Sequence, residues 1–235
     1  MAPFRVIAID GPAASGKSTV ARTVARELGF AYINSGALYR ALTWHLLRNE
    51  IDLKRAEEIA RAAVGVPLSC ASAQGEFQIL LDEVDPSPHL RSPAVNQSVS
   101  RVSSVPRVRE LIDARMRAFA AERDVVVEGR DIGSVVFRET RFKFYLDASP
   151  EVRTLRRNAQ GECDEIIARD RADSTRGTAP LQIAPDAFVI DSSRLTIPQV
   201  VREILQQLAL AGVPPGITRS GGDPASDLPS GSDAL

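Results

Sequence analysis

The sequence predicts an α/β domain whose mainly parallel five-stranded sheet is flanked by helices. Short apolar runs recur along the chain, and stretches with a helical spacing of apolar residues lie between them. The runs read, in chain order, RVIAI, FAYIN, VVVEG, FKFYLD and AFVID. A glycine-rich loop also lies directly between the first run and the first helical pattern, which is the usual place for a ligand-binding loop in such folds.

The glycine-rich loop has the composition of a phosphate-binding loop. The segment IDGPAASGKST at 9–19 fits G-x-x-x-x-G-K-[ST], in which backbone N–H groups surround the phosphate oxygens of a nucleotide. Lys17 would reach the β and γ phosphates, and the Ser18 hydroxyl would ligate Mg²⁺. The predicted ATP-binding positions in the loop are Gly11, Pro12, Ala13, Ala14, Ser15, Gly16, Lys17, Ser18 and Thr19.

The helix after the loop supports this interpretation. KSTVARTVAREL places apolar residues at helical spacing, and Gly29 is a C-terminal stop signal. Its N-terminus adds unpaired N–H groups and a positive dipole end to the loop. Strand, loop and helix in this order predict a P-loop NTPase fold. Only three of the 29 basic residues are lysine, so Lys17 is a compact point charge in an arginine-rich chain.

Composition excludes several classes of function. The 235 residues are 44% hydrophobic and 25% charged, with a net charge of −1, which favours a soluble globular protein and argues against nucleic-acid binding. Two cysteines are too few for a disulfide framework or a zinc cage, and two histidines argue against imidazole-based metal or triad chemistry. No apolar run is long enough to span a membrane, and Asp10 interrupts the first one too early for a signal peptide. We therefore expect a cytoplasmic protein.

Two further segments complete the organisation. Between 64 and 100, VPLSC and FQILLDEV predict an antiparallel hairpin inserted in the main domain, followed by a long amphipathic helix in VPRVRELIDARMRAFAAER. The last helix begins at a capping box formed by Thr196 and Gln199, with Pro198 in its first turn. The tail at 213–235 is rich in Gly, Pro, Ser and Asp, and we expect it to be disordered.

A phosphate-binding loop alone does not identify a reaction. The sequence contains no N/T-K-x-D motif for reading guanine, and the chain is short for a larger ATP-driven machine. A compact enzyme that transfers a phosphoryl group to a small acceptor is favoured. Such an enzyme must hold two anions together, which requires cationic groups from several segments. The segments NSGALYR, PRVRE, EGRDIG and RDRADSTRGTAPL supply them.

These motifs, in this order, resemble those of the bacterial cytidylate kinases, a family of nucleoside monophosphate kinases. The resemblance extends from IDGPAASGKST through SGALYR, PRVRE, EGRDIGSVVF, FYLDAS and RDRADSTR to VIDSS, and spans about 6–208. It implies ATP-dependent phosphorylation of CMP and dCMP, with Mg²⁺. It also implies one kinase domain over 1–212, with an acceptor-side insertion at 64–100 and a lid at 153–180. We expect a monomer.

The resemblance assigns roles residue by residue. Ser35 and Arg40 would contact the acceptor, and Arg40 and Arg130 would grip its phosphate. Ser100, Arg109 and Asp131 match base-reading positions. A carboxylate can accept a hydrogen bond from the N4 amine of cytosine, and a guanidinium can donate to its N3 or O2 atom. Uracil has an acceptor, O4, in place of the amine, and this acceptor would face the carboxylate.

The resemblance also assigns the lid. Arg169 and Asp173 match positions near the acceptor ribose, and Arg176 matches an arginine that meets the transferring phosphates. Arg153, Arg156 and Arg157 begin the helix that enters the lid, and Arg156 is the predicted ATP contact among them. The predicted catalytic set is Lys17, Arg130, Asp131 and Arg176.

Some interpretations stay open. Asp131 could simply cap the helix after its strand, and the serine-rich SVSRVSS leaves the register of Ser100 undecided. Glu128 could assist Mg²⁺ through water or only end the strand. Asn34 stands where the family commonly has Asp, and NAQGECDEIIA after Arg157 is shorter than in most relatives. A kinase of UMP or of a non-nucleotide metabolite, and a nucleotide-binding regulator without turnover, are the alternative functions.

Overall fold

The computed structural model describes residues 4–73, 76–159 and 181–213, with the backbone alone at 69–78. The strands are β1 Val6–Asp10, β2 Ala31–Asn34, β3 Leu68–Ala73, β4 Glu76–Leu81, β5 Val125–Gly129, β6 Phe142–Asp147 and β7 Phe188–Asp191. The helices are α1 Lys17–Leu28, α2 Ser35–Arg48, α3 Ala56–Val64, α4 Pro93–Ser103, α5 Pro106–Ala120, α6 Pro150–Ala159 and α7 Ile197–Leu210. A 3₁₀ turn at Ser87–His89 and a π-helical turn at Ile132–Val136 complete the described elements.

The five predicted apolar runs form five parallel strands, which confirms the predicted fold class. They lie in the order β2-β5-β1-β6-β7, and β1 occupies the centre of the parallel part between β5 and β6. All five residues of β5 are buried, since helices cover both faces of the sheet. One hydrophobic cluster joins the sheet to α1 and α7, and the other joins it to α2, α3, α4 and α5.

The predicted hairpin is present and extends the same sheet. β3 and β4 pair antiparallel from Leu68↔Leu81 to Ala73↔Glu76, and β4 also pairs parallel with β2 at Tyr32↔Glu76. Within the described residues, the sheet therefore has seven strands in the order β3-β4-β2-β5-β1-β6-β7. Periodicity within a strand predicts the hairpin, but it carries no information about which edge the hairpin joins.

The helix signals read from the sequence are also observed. Gly29 ends α1 in the left-handed region at φ 68°, and the Thr196–Gln199 capping box begins α7. The Asn34 side chain caps α2 by accepting a hydrogen bond from the backbone N–H of Ala37 at 3.0 Å. Asn and Asp cap helices about equally well, so the departure at Asn34 preserves this function.

The topology brings the important loops to one edge. In register, Asp10 at the end of β1 lies beside Gly129 at the end of β5, and Asn34 at the end of β2 lies beside Glu128. The segments after β1, β2 and β5 therefore emerge together at the carboxyl edge, where open α/β sheets bind ligands. The predicted lid residues Arg169, Asp173 and Arg176 and the tail from 214 lie outside the described residues. No helix in the described part of the chain is long and apolar enough to cross a membrane.

Candidate active site

A cavity of about 530 Å³ lies at the carboxyl edge of the sheet. It is bounded by the phosphate-binding loop, the start of α2, the 3₁₀ turn, α4, α5 and the end of β5. The predicted site residues that line it are Ala13, Ala14, Lys17, Ser18, Ser35, Arg40, Ser100, Arg109, Arg130 and Asp131. The fold thus brings residues predicted to bind the donor and residues predicted to bind the acceptor into one cleft.

The phosphate-binding loop is tightly fixed at its two glycines. Gly11 has φ 151°, and a Cβ built on it would lie 2.1 Å from the carbonyl oxygen of Leu146 on β6. Gly16 has φ 93° and immediately precedes α1. The Lys17 ammonium donates to the carbonyl oxygen of Pro12 at 2.7 Å, which curls its side chain back over the loop.

The other loop positions are divided between support and exposure. Pro12 and Ser15 are buried in the loop, whereas Ser18 and Thr19 are exposed at the start of α1. Ser18 lines the cavity, and Thr19 does not. Ser18 is therefore the loop hydroxyl that faces the cleft, as the motif predicts.

Two arginines of α6 support the loop from behind. Arg153 donates to the carbonyl oxygen of Ala13 at 3.3 Å, and Arg156 donates to that of Ser15 at 3.2 Å. Arg156 also donates to the hydroxyl and the carbonyl oxygen of Ser192, and the Ser192 hydroxyl donates to Ser15 O at 3.0 Å. These bonds tie α6 and the segment after β7 to the loop. Sequence reasoning did not single out Ser192.

The arginines of α6 that were predicted to begin the lid face different parts of the site. Arg157 lines the cavity, whereas Arg156, the predicted ATP contact, does not. The helical spacing of a basic cluster cannot by itself decide which member faces a cleft, because that depends on how the helix packs against the loop.

The acceptor-side arginine of α2 is held in place by the segment before α4 and by the first turn of α4. Arg40 donates to the carbonyl oxygen of Leu90 at 3.1 Å and to the side-chain oxygen of Asn96 at 2.5 Å. The same cavity is lined by Arg40 and by five further arginines of the described chain, Arg22, Arg91, Arg109, Arg130 and Arg157. Arg91 was not predicted, because it lies outside any motif.

The predicted base-reading groups form a buried ion pair. Arg109 on α5 is 3% exposed, and it donates to a carboxylate oxygen of Asp131 after β5. A second nitrogen of the guanidinium donates to the carbonyl oxygen of Ser103 at 3.3 Å, and the group lies 5.4 Å from the centre of the Tyr39 ring. Burial lowers the pKa of Arg109, but its Tyr39, Asp131 and Asp113 neighbours raise it above the ordinary value.

This geometry bears on whether Asp131 caps a helix and on which arginine of PRVRE faces the cleft. The Asp131 side chain makes no capping bond to the π-helical turn that follows it, so its role is not to cap a helix. Arg107, the other arginine of PRVRE, is exposed and pairs with Glu110 at 2.7 Å, which leaves Arg109 as the arginine of the cleft. Ser100 and Ser103 both line the cavity.

A buried carboxylate that sequence reasoning missed fixes the loop after β5. Asp10 accepts hydrogen bonds from the backbone N–H groups of Ile132 at 2.8 Å and Gly133 at 2.7 Å. Burial raises the pKa of Asp10 to about 6, against the opposing effect of these two bonds, and the nearby Asp131 raises it further. Asp10 thereby joins the start of the phosphate-binding loop to the Asp131 segment.

Glu128 lines the cavity at the end of β5, and its carboxylate accepts a hydrogen bond from the Tyr32 hydroxyl at 2.6 Å. Burial, followed by the Glu128 charge, raises the pKa of Tyr32, so the phenol stays a donor to that carboxylate. Among the residues described, no three His, Cys, Asp or Glu side chains cluster around one metal position. One hydroxyl and one carboxylate suit Mg²⁺ held mainly by substrate phosphates and water.

Comparison with known proteins gives a consistent result. The family model for cytidylate kinase matches residues 7–210. A cytidylate kinase of Rhodococcus opacus is 44% identical over 212 residues, covering 85% of this chain and 93% of the relative. One from Pelotomaculum thermopropionicum is 42% identical over 221 residues, covering 89% and 98%, and one from Rhodococcus jostii is 43% identical over 212 residues, covering 85% and 93%.

Proposed function

Because this chain belongs to the cytidylate kinase family and is therefore a kinase that phosphorylates CMP, we propose that its cleft transfers the γ-phosphoryl group of ATP to CMP and dCMP by positioning and charge stabilisation. The observation that carries this mechanism is the convergence of Lys17 with Arg40 and Arg130 on one cavity. Two phosphate-bearing substrates repel each other, and cations fixed between them offset that repulsion.

The donor end of the cleft is the phosphate-binding loop. The backbone N–H groups of the loop and the N-terminus of α1 hold the phosphates, and Lys17 leaves the carbonyl oxygen of Pro12 to contact them. Ser18 would hold Mg²⁺, with Glu128 reaching it through water. A Mg²⁺ held by these residues would neutralise part of the phosphate charge.

The acceptor end needs no general base, since the attacking group is already an anionic phosphate oxygen. Arg40 and Arg130 hold that phosphate, and Ser35 at the start of α2 contributes its hydroxyl. Catalysis then rests on alignment of the two reacting groups. Arg176 is proposed to reach the transferring phosphoryl group, and Arg169 and Asp173 to contact the ribose. Arg156 is proposed to affect ATP binding indirectly, by supporting the loop that holds the phosphates.

Base selectivity is proposed to come from Asp131 and Arg109, with Ser100 beside them. Asp131 accepts from the N4 amine of cytosine, and Arg109 donates to N3 or O2. Uracil would turn its O4 acceptor toward the carboxylate, leaving a buried charge without a donor, which costs several kcal/mol in such sites. Both side chains are already buried and paired to each other, so the site is organised before CMP arrives.

The assembly state and the cellular location complete the proposal. The protein is proposed to be a monomer. The protein is proposed to act in the cytoplasm on small nucleotides rather than on nucleic acid. The chain spans more than nine-tenths of the length of the relatives reported above, which supports assigning the complete reaction to it.

An acceptor panel tests the proposal. ADP release is measured with CMP, dCMP, UMP and AMP for the unmodified enzyme, Asp131→Ala and Arg107→Ala. We expect kcat/KM to be about 100-fold or more higher for CMP than for UMP, and the ratio to collapse in Asp131→Ala. Arg107→Ala is the matched control, because Arg107 is exposed on the same helix as Arg109.

The panel also separates the alternatives. Equal kcat/KM for CMP and UMP in the unmodified enzyme would overturn base reading by Asp131. Turnover confined to UMP or AMP would indicate a kinase of another acceptor, and no turnover with any acceptor would indicate a regulator.

A further inference from the structure

Asp113 is a buried carboxylate to which neither the motifs nor the proposed reaction assigns a role. It lies on α5 one turn after Arg109 and is only 8% exposed. Its Oδ1 atom is buried and has no hydrogen-bond partner in the described part of the chain. Burial raises the pKa of Asp113 to about 6; Arg109 and Arg117 oppose this effect, and Asp131 adds to it.

The position of Asp113 on its helix makes the carboxylate unexpected. Apart from Arg109, the buried face of α5 is apolar before and after it, at Val108, Ile112, Met116 and Phe119. An apolar residue at position 113 would continue this stripe without an unpaired oxygen. Buried polar atoms without partners are uncommon and costly, and they cluster at functional sites. The neighbours of Asp113 therefore indicate what it does.

The functional neighbour of Asp113 is Arg109, on which two carboxylates, Asp113 and Asp131, act electrostatically. Residues four apart on a helix are adjacent on its surface, so Asp113 lies next to Arg109 on α5, and its charge acts on the guanidinium. Asp131, which follows β5, forms an ion pair with the same guanidinium. Without a nucleotide, one oxygen of Asp131 is therefore occupied by Arg109.

Binding of cytosine would change the charge available to Arg109 from its two carboxylate neighbours. When Asp131 accepts from the N4 amine of cytosine, it shares its charge between the amine and Arg109. A buried guanidinium that loses part of its counter-charge is strongly disfavoured. A second carboxylate next to Arg109 compensates for that loss and keeps the guanidinium in the cleft, directed at the base.

We propose that Asp113 is a positioning residue for base recognition: it retains Arg109 in its base-reading position while Asp131 turns to the cytosine amine. The inference rests on the proposed base-reading roles of Arg109 and Asp131. Asp113 does not line the cavity and does not itself touch the nucleotide.

The test compares Asp113→Asn and Asp113→Ser with Glu110→Gln, which removes an exposed carboxylate from the same helix. Steady-state kinetics with CMP and UMP, and melting temperatures, are measured for each. For both Asp113 variants we expect KM for CMP to rise about tenfold with kcat within about twofold, so that the CMP-to-UMP ratio of kcat/KM falls about tenfold. Glu110→Gln should match the unmodified enzyme.

A purely structural role for Asp113 predicts a different result. The melting temperature would change while KM for CMP and the CMP-to-UMP ratio stayed within twofold of the unmodified values, and this would overturn the proposal. Asp131→Asn, measured beside them, separates the two levels of the argument. If Asp131→Asn abolishes the CMP preference and the Asp113 variants keep it, only the role of Asp113 fails. If Asp131→Asn keeps the preference, base reading and the role of Asp113 fail together.

Discussion

Two carboxyl groups near the cleft, Asp10 and Asp113, carry a pKa raised to about 6 by burial. They are held differently. Asp10 accepts two backbone N–H bonds, whereas Asp113 keeps an oxygen without a partner among the described residues. Asp10 therefore recovers part of its desolvation cost through hydrogen bonds, and Asp113 recovers part through its arginine neighbours. Replacing Asp113 removes a buried charge without also breaking backbone hydrogen bonds. Its replacement therefore measures the effect of that charge on the free energy of unfolding more directly than replacing Asp10 would.

The stability contributed at Asp113 should depend on pH with a defined sign. A carboxyl group whose pKa is higher in the folded state than in the unfolded chain binds more protons when folded between pH 4 and pH 6, so its contribution falls as pH rises through this window. The folded and ordinary pKa values are about 6 and 3.8, which corresponds to about 3 kcal/mol at pH 7. Asn does not titrate, so the loss should be absent in Asp113→Asn.

Urea unfolding of the unmodified protein and Asp113→Asn from pH 4 to pH 7.5 measures this contribution. We expect the unfolding free energy of Asp113→Asn, relative to the unmodified protein, to increase with pH by up to about 3 kcal/mol. Glu110→Gln is the control, and its difference should stay within about 0.5 kcal/mol because Glu110 is exposed. A pH-independent difference for Asp113→Asn would show that its carboxyl group does not titrate abnormally.

Individual site residues could be predicted when a motif specified their position in the sequence and their neighbours. The loop pattern identifies Lys17 and Ser18, and both line the cavity. Sequence alone favoured Arg109 over Arg107 for function but could not establish which of them is buried, because helical phase depends on what α5 packs against. Asp10 was not predicted, since its partners lie 122 and 123 positions away along the chain.

Helix α6 illustrates how one element supports another. Arg153 and Arg156 extend from α6 to carbonyl oxygens of the phosphate-binding loop, and Arg156 also bonds Ser192 after β7. The loop itself is a short turn between β1 and α1, so these arginines add restraints that its own backbone lacks. Residues of α6 and of the segment after β7 thus help to fix the geometry of the loop, in addition to the residues of the motif.

Replacing Arg156 tests this support. Arg156→Met keeps most of the side-chain volume but removes the bonds to Ser15 and Ser192, so we expect a loss of about 1–3 kcal/mol in unfolding free energy. We also expect KM for ATP to rise about tenfold while KM for CMP stays within about twofold. Unfolding by urea and steady-state kinetics provide the two measurements.

Arg202→Met on α7 is the matched control, because Arg202 is exposed. If Arg156 only contacted ATP, KM for ATP would rise without any loss of stability in Arg156→Met. An unchanged KM for ATP would contradict both the supporting role and the contact.

The elements themselves were predicted closely, because each depends on local periodicity and local stop signals. The runs VVVEG and FKFYLD coincide with β5 and β6, and the capping box marks the start of α7. The position of the hairpin beside β2 was not predicted, because strand order is decided by packing between distant segments. The predicted lid spans 153–180; its part at 160–180 lies outside the described residues, and the lid stays a prediction.

Considered as a whole, the protein places cations from distant parts of the chain around one cleft at the carboxyl edge of its sheet. Lys17 comes from the first helix, Arg40 from the second, Arg109 from the fifth and Arg130 from the end of β5. A net charge of −1 shows that this is a local concentration and not a property of the entire surface. The fold class followed from patterns along the sequence, whereas this convergence required the resemblance or the structure.

A crystal structure of the protein with CMP and the β,γ-imido analogue of ATP tests the central claim most directly. We predict that the cytosine amine contacts Asp131, that the CMP phosphate lies between Arg40 and Arg130, and that the terminal phosphate of the analogue lies beside Lys17. CMP bound with its base away from Asp131, or with its phosphate away from both arginines, would contradict the account.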